Sequence, residues 1–593
     1  MNNEPISKFS NLLENPKDFD TKIKVGEYPD IKEFKKPNIS PSIFEILINY
    51  IYTGKFSNNN EISLLDIFIA ADEIGLFEIN QQIEKRLLKN VSAWQFPKDF
   101  ITICKYDNFT NLHEAAFLFK RKEAFTYLTQ GKFLKAWELY EEILKICPHN
   151  AMNQKSASKW DFPNYRRWGS EGINELSEVL CKNTMLTSLN LSRIKLGSDN
   201  FKTSSSKRSS LKLLADALCK NSTLKDLNLS NNLLGSEEGK VLADVLCNNS
   251  TLTSLNLQDN NFGSDGGKEL ANALCKNSSL KDLNLQNINL GSEGGKAFAF
   301  ALCKNTTLTS LNIQNNNLGS EVGKELADAL CKNSMLKDLN RSINNLESKG
   351  GKALANALCK NTALTSLNLG VNYLGSEGGK ELANALCKNS TLKDLNLSNN
   401  KLESEGVKAL AIALYKNSTL TSLNLNCNWI GLEGGKALAD VLCRNSTLTS
   451  LELQDNNLLS EGGKALADAL CKNSTLTSLN LGYNGLGPEG GKALADALCK
   501  NSTLTSLNLN NNFLEAECGK ALVDALRKNS TLISLELQEN NLLSEGGKAL
   551  ANALYKNSTL TYLNLQYNNL DYEVIKALDI RKRIHLSYSM VLN

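Results

Sequence analysis

Most of the chain repeats one alternation of apolar and polar positions. In LKDLNLSNNKL (392–402), Leu395 and Leu397 alternate with polar neighbours. That period of two predicts a short strand with one buried face. Asn400 follows where a turn amide can hydrogen-bond nearby backbone. In GSEGGKELANALCKNSTL (375–392), Gly378, Leu382 and Leu386 fall at i, i+4 and i+8, one stripe of a helix. Lys380, Asn384 and Lys388 take the opposite face. Each unit therefore reads strand, turn, helix, loop. The opening leucines run from Leu224 to Leu560 in steps of 28 residues. An earlier copy opens at Leu186, 38 residues before the next, and so carries a ten-residue insertion. That makes fourteen repeats over 186–570. No unit can bury its stripe alone, but stacking joins the strands into one parallel sheet with helices outside.

The consensus LxxLNLxxNxLGSEGGKxLAxALCKNSTL resembles the long leucine-rich repeat of ribonuclease-inhibitor-like proteins, also found in NOD-like receptors and Ran GTPase-activating protein. The resemblance implies an α/β leucine-rich-repeat horseshoe solenoid over 158–593, ending in a C-terminal cap. Ile194 and Ile288 take the turn asparagine position, and Arg341 replaces an inward leucine. A local distortion of the sixth repeat is expected.

Before residue ~157 the repeat phase is lost, and a small, mostly helical region is predicted. Residues 35–56, KKPNISPSIFEILINYIYTGKF, and 64–90, LLDIFIAADEIGLFEINQQIEKRLLKN, resemble the C-terminal half of a BTB domain, with 20–34 as its opening hairpin. This defines a truncated BTB-like module at 1–105. The family's middle segment, which builds much of its dimer interface, is missing. The resemblance implies a cullin partner, while the missing segment argues against a BTB-type dimer. In 106–157, a helical linker, EAFTYLTQGKFLKAWELYEEILKICPHN (123–150) resembles one tetratricopeptide unit, a helical hairpin expected to cover the first strand of the solenoid. TSSSKRSS (203–210) is expected to be a flexible basic loop, and RKRIH (581–585) the solvated end of the cap.

Three features of the refrain suggest chemistry and fail on inspection. The glycine–lysine cluster is one residue short of G-x-x-x-x-G-K-[ST], and Glu381 follows Lys380 where Ser or Thr would hold magnesium. The bland alternative is that Gly378 allows close helix–strand approach. Cysteine recurs in one helix slot, at 181, 219, 247, 275, 303, 331, 359, 387, 443, 471 and 499. No C-x-x-C pair offers a metal site. Neighbouring helices at ~8–10 Å exceed the ~7 Å a disulfide spans. Half-buried spacers are expected there. The sequon Asn389-Ser390-Thr391 has no role in a chain without an export signal. The chain's opening shows none, and no run reaches the ~18 apolar residues of a membrane helix. Fifteen cysteines then read as reduced thiols, and a cytoplasmic protein is expected, with the nucleus as alternative. The three histidines lie outside the repeats and no catalytic motif is present, so neither enzyme activity nor a cofactor is expected.

Function then falls to the sheet face left open by the helices. Sixty-six basic and sixty-three acidic residues leave a net charge of +3, too little for a polyanion binder over this length. Repeat positions three, five and seven line the concave face. Position three alternates Ser and Asp as far as Asp394, then stays Ser until Tyr562; position five is Asn except for Glu452 and Glu536. Amides and carboxylates do not suit nucleic acid. Val371, Tyr373, Trp429, Tyr483, Phe513 and Tyr567 gather at the variable positions of the C-terminal half. With Asp394, Glu452, Glu536 and Tyr562 they are the candidate partner-binding residues, since aromatics anchor interfaces. The alternative is that they fill gaps between turns. A non-enzymatic protein-binding scaffold is expected. Its alternatives are a substrate-recruiting adaptor of a cullin ubiquitin ligase and a Ran-type activator of a small GTPase. Against the last, no long acidic tail follows the final repeat.

Overall fold

The computed structural model describes residues 23–25, 32–34, 39–53, 62–73, 76–89, 103, 109–146, 151–162, 168–197, 210–579 and 585–587. It divides into two compact units, 1–158 and 159–593. Most of the 203–210 loop and residues 581–584 lie outside the described residues. Among the described residues no helix is long and apolar enough to cross a membrane.

In the first unit, strands Ile23–Val25 and Lys32–Phe34 pair antiparallel, the hairpin expected of 20–34. Helices Pro41–Thr53, Leu64–Glu73 and Phe77–Lys89 bury Leu47, Ile67, Ala71, Ile79 and Ile83 in one core. Helices Thr110–Thr129 and Phe133–Ile146 form a hairpin whose turn holds Gly131 at φ 76°. Phe133, Ala136 and Tyr140 are its buried stripe, and burial pushes the Tyr140 phenol up to about 12.

The second unit is an α/β repeat solenoid. Among the described residues sixteen parallel strands form one open sheet in chain order. Each strand has three residues in register with the next, as in Ser366↔Asp394↔Ser422. Helices such as Gly375–Leu386 cover one face, burying Leu382 and Leu386 beneath them. Two strands flank the fourteen read from the leucine period. Lys159–Asp161 pairs with the first repeat strand, with Trp160 opposite Leu189. It supplies that strand's outer neighbour in the sheet. Behind it the Phe162 and Trp168 rings meet edge-on at 4.9 Å, so aromatic bulk closes the core where no leucine repeat continues. At the other end His585 opens the strand His585–Ser587, its ring stacked on Tyr562 at 5.7 Å. His585 thus belongs to the capping strand while its side chain stays exposed.

Two ladders of buried asparagine hold the turns together. Asn400 Nδ2 donates to the Leu369 carbonyl of the preceding repeat at 2.8 Å and to Leu397 in its own at 3.0 Å. Its Oδ1 accepts from the N–H groups of Asn372 and Leu374 at 3.0 and 3.3 Å. In the loop after each helix, Asn389 accepts from Thr391 and Leu392 and donates to the Leu358 carbonyl at 2.9 Å. Backbone groups that a buried turn would otherwise orphan are thereby paired.

The expected distortion of the sixth repeat does not occur. The strand Asp338–Asn340 that leads into Arg341 keeps register on both sides, and the Arg341 N–H still donates to the Asn368 carbonyl at 2.9 Å. Its long side chain folds into the leucine slot and is fully buried. Nη2 reaches the Gly319 carbonyl at 3.2 Å, while Nε and Nη1 have no partner. Burial pushes the guanidinium down to about 9. The penalty is electrostatic and leaves the backbone in place.

Candidate protein-binding face

Each turn must direct several backbone N–H groups toward the next repeat. Val371 donates to the Ser398 carbonyl at 2.8 Å, and Gly375 to the Asn400 carbonyl at 3.0 Å. Between them Asn372 and Leu374 donate to the Asn400 side chain. Left-handed residues at positions eight and ten bring these donors to one side. Val371 lies at φ 56° and Tyr373 at 54°. The same holds for Trp429 (57°), Tyr483 (58°), Phe513 (55°) and Tyr567 (55°). This conformation disfavours residues with a Cβ by roughly 1–2 kcal/mol. Neighbouring units meet the requirement with Asn287, Asn315 and Asn399.

The aromatic side chains at these positions point outward. Their exposure runs from 45% at Tyr483 to 65% at Phe513, so they do not fill gaps between turns. Lys401 lies between two of them, its Nζ 5.4 Å from the Tyr373 ring and 5.3 Å from the Trp429 ring, a cation–π sandwich. Val371 is half-buried beside Tyr373. Tyr562 differs from the rest: half-buried against His585, it belongs to the cap as much as to the open face.

Carboxylates lie beside this strip. Asp394 is exposed on the open face. Two strands away, Asp338 is held above the ordinary carboxyl range, first by partial burial, then by the charges of Asp394 and Asp282; a hydrogen bond from Ser366 opposes the shift. Glu452 accepts from Asn480 Nδ2 at 2.7 Å, and Glu536 from Asn510 Nδ2 at 2.9 Å. The sequence reading passed over Lys401, Asp455 and Glu539, which share the turn positions, and over Leu459 and Leu543. Both leucines are exposed at φ 59° and 54°, in the slot that Gly375 fills elsewhere. Their signal was legible: LLSEGG replaces LGSEGG.

The three chemical features of the refrain have structural roles. Lys380 pairs with Glu377 at 2.8 Å on the helix surface, as Lys464 does with Glu461. A Cβ on Gly378 would lie 2.9 Å from the Leu374 Cβ, in the turn feeding its own helix; the close approach is to that turn. The cysteine slot is half-buried at Cys219, Cys275 and Cys499, where burial raises the thiol. It is exposed at Cys181, Cys247, Cys331, Cys387 and Cys471, which therefore do not act as half-buried spacers. Among the described residues no group of three His, Cys, Asp or Glu could hold a metal. The sequon asparagine Asn389 is buried and its amide is occupied in the ladder.

The family model described as "Leucine Rich repeat" matches residues 220–243, 248–271, 276–299, 304–327, 360–383, 388–411, 416–439, 444–467, 472–495, 500–523, 528–551 and 556–578. The segment between 327 and 360, which holds Arg341, is unmatched. No curated protein matches the chain. Among solved structures, the actin-binding site 2 of leiomodin-1 is 22% identical, covering 26% of this chain and 88% of that one at a TM-score of 0.23. The complex of Rad7 and Elc1 in yeast gives 19%, covering 75% and 96% at 0.41. The tropomodulin C-terminal domain of Caenorhabditis elegans gives 18%, covering 27% and 90% at 0.23. At these scores the three say nothing of what this chain binds.

Proposed function

Because the chain is a leucine-rich-repeat protein, we propose that it works as a non-enzymatic scaffold, holding a protein partner on the open sheet face and adjoining turn edge of its C-terminal repeats. One observation carries the reading. Large aromatic side chains stand exposed at left-handed backbone positions where asparagine would fit with less strain. They contribute nothing to the core, so their use lies outside the fold, and exposed aromatics are strong interface anchors. The test replaces Trp429, Tyr483 and Phe513 together by asparagine, which suits the backbone. Proteins captured from lysate by the natural chain and lost by this folded variant support the reading; an unchanged set overturns it.

The narrower reading is a substrate-recruiting adaptor of a cullin ubiquitin ligase. Its support is the hairpin and the helical core of residues 41–89. A cullin retained by the whole chain and lost on removal of 1–105 is the expected result, and capture without any cullin removes it.

A further inference from the structure

The charge on the open face changes along the solenoid. In the first repeats each Asp at position three follows a Lys, as in Lys225-Asp226, Lys281-Asp282, Lys337-Asp338 and Lys393-Asp394. From the ninth repeat on, the strand and turn segments 420–430, 448–458, 476–486, 504–514, 532–542 and 560–570 contain no Lys, Arg or His. They contain four carboxylates in two pairs, Glu452 with Asp455 and Glu536 with Glu539. The groups that hydrogen-bond them are neutral. Glu452 and Glu536 accept from asparagine amides; Glu539 accepts from Asn511 at 2.7 Å and Gln538 at 3.0 Å. Asp455 accepts from the Cys427 thiol. Each pair is held in place by neutral donors, amides at three of the carboxylates and a thiol at Asp455, that carry no compensating charge.

The two pairs stand three strands apart, a span of ~14 Å at the usual strand spacing. Between them lie the exposed rings of Tyr483 and Phe513, with Trp429 and Tyr567 just outside. We infer, resting on the scaffold reading above, that this stretch binds an extended basic segment of the partner, with arginines at i and i+4 and an apolar side chain at i+2. The spacing follows from chain geometry. An extended chain advances ~3.4 Å per residue and returns to the same side every second residue, so ~14 Å is four residues with both ends facing down. The residue midway meets Tyr483 and Phe513. Arginine fits because its fork bonds carboxylate in two places and its plane stacks on aromatic rings.

The test measures fluorescence anisotropy of a labelled peptide, Ser-Arg-Ser-Leu-Ser-Arg-Ser, against the full chain. Saturable binding that weakens as salt rises is expected, because the contacts are ionic. The double variant E452Q/E536Q keeps an acceptor for each asparagine amide and should lose about tenfold in affinity. D226N/D282N, in the first repeats, should bind as the natural chain does. A peptide with glutamate for arginine should not bind. No saturation by ~1 mM peptide, equal binding of the glutamate peptide, or full binding by E452Q/E536Q would each overturn the inference. If the arginine peptide fails while the triple asparagine variant still loses a captured protein, the scaffold reading stands and this inference alone falls.

Discussion

Asn372 and Tyr373 are chain neighbours, yet the first is fully buried and the second half exposed. The contrast recurs along the solenoid between rows facing inward, such as positions six and nine, and rows facing outward at eight and ten. An inward position is bound by what the adjacent repeat demands: apolar volume at six, and a carboxamide at nine except where Ile194 and Ile288 are buried instead. An outward position is bound only by backbone twist. Variation there, as among Asn315, Val371, Cys427 and Tyr483, changes the surface and not the fold. The repeat thereby separates stability from recognition within a few residues of chain.

Breaking the inward row should have the largest effect. Asn400→Ala removes the acceptor for Asn372 and Leu374 and the donor to two buried carbonyls and the half-buried one of Ser398. At roughly 1 kcal/mol each for four buried partners, a loss of about 4 kcal/mol is expected in chemical denaturation. Amide exchange should accelerate first at Asn372 and Leu374. A loss of under about 1 kcal/mol would mean that water takes over the carboxamide's bonds.

Next comes the inward position that already breaks the rule. Arg341→Leu restores the apolar slot and removes a buried cation with two unpaired donor atoms. Stabilisation by about 3 kcal/mol is expected at neutral pH. The guanidinium's folded value, about 9, lies below its ordinary 12.5. Between these values the unfolded chain binds the extra proton, so the natural protein gains stability as pH rises through that window. The advantage of the leucine variant should therefore shrink from pH 7 to pH 10. An advantage that is constant with pH would show the guanidinium to be solvated.

The outward row should respond least. Asparagine at Trp429, Tyr483 or Phe513 relieves the left-handed strain and uncovers no core. Each variant should match the natural stability or exceed it by up to about 0.5 kcal/mol. A marked loss at any of them would assign that ring to packing and remove it from the candidate face.

Much of this was legible in the residues. The alternation of Leu395 and Leu397 gave the strand, Gly378, Leu382 and Leu386 the buried helix stripe, and the 28-residue step the stacking. The capping strands were not legible, because Trp160 and Leu586 stand in register with the repeat leucines without a surrounding consensus. Nor was the fate of Arg341: whether a long cation bends a sheet or folds into a leucine's place depends on the space between neighbouring repeats. The candidate residues were visible as variable positions, but not the direction in which their side chains point.

The sequence by itself determined the repeat, its period and its layers, because each follows from local periodicity and from burial that any stacked copy must satisfy. The tertiary structure alone decided that positions eight and ten adopt left-handed backbone and turn their side chains to solvent. The reason is physical: the N–H groups around them are claimed by the Asn400-type carboxamide and carbonyls of the next repeat, a demand present only once the repeats are stacked.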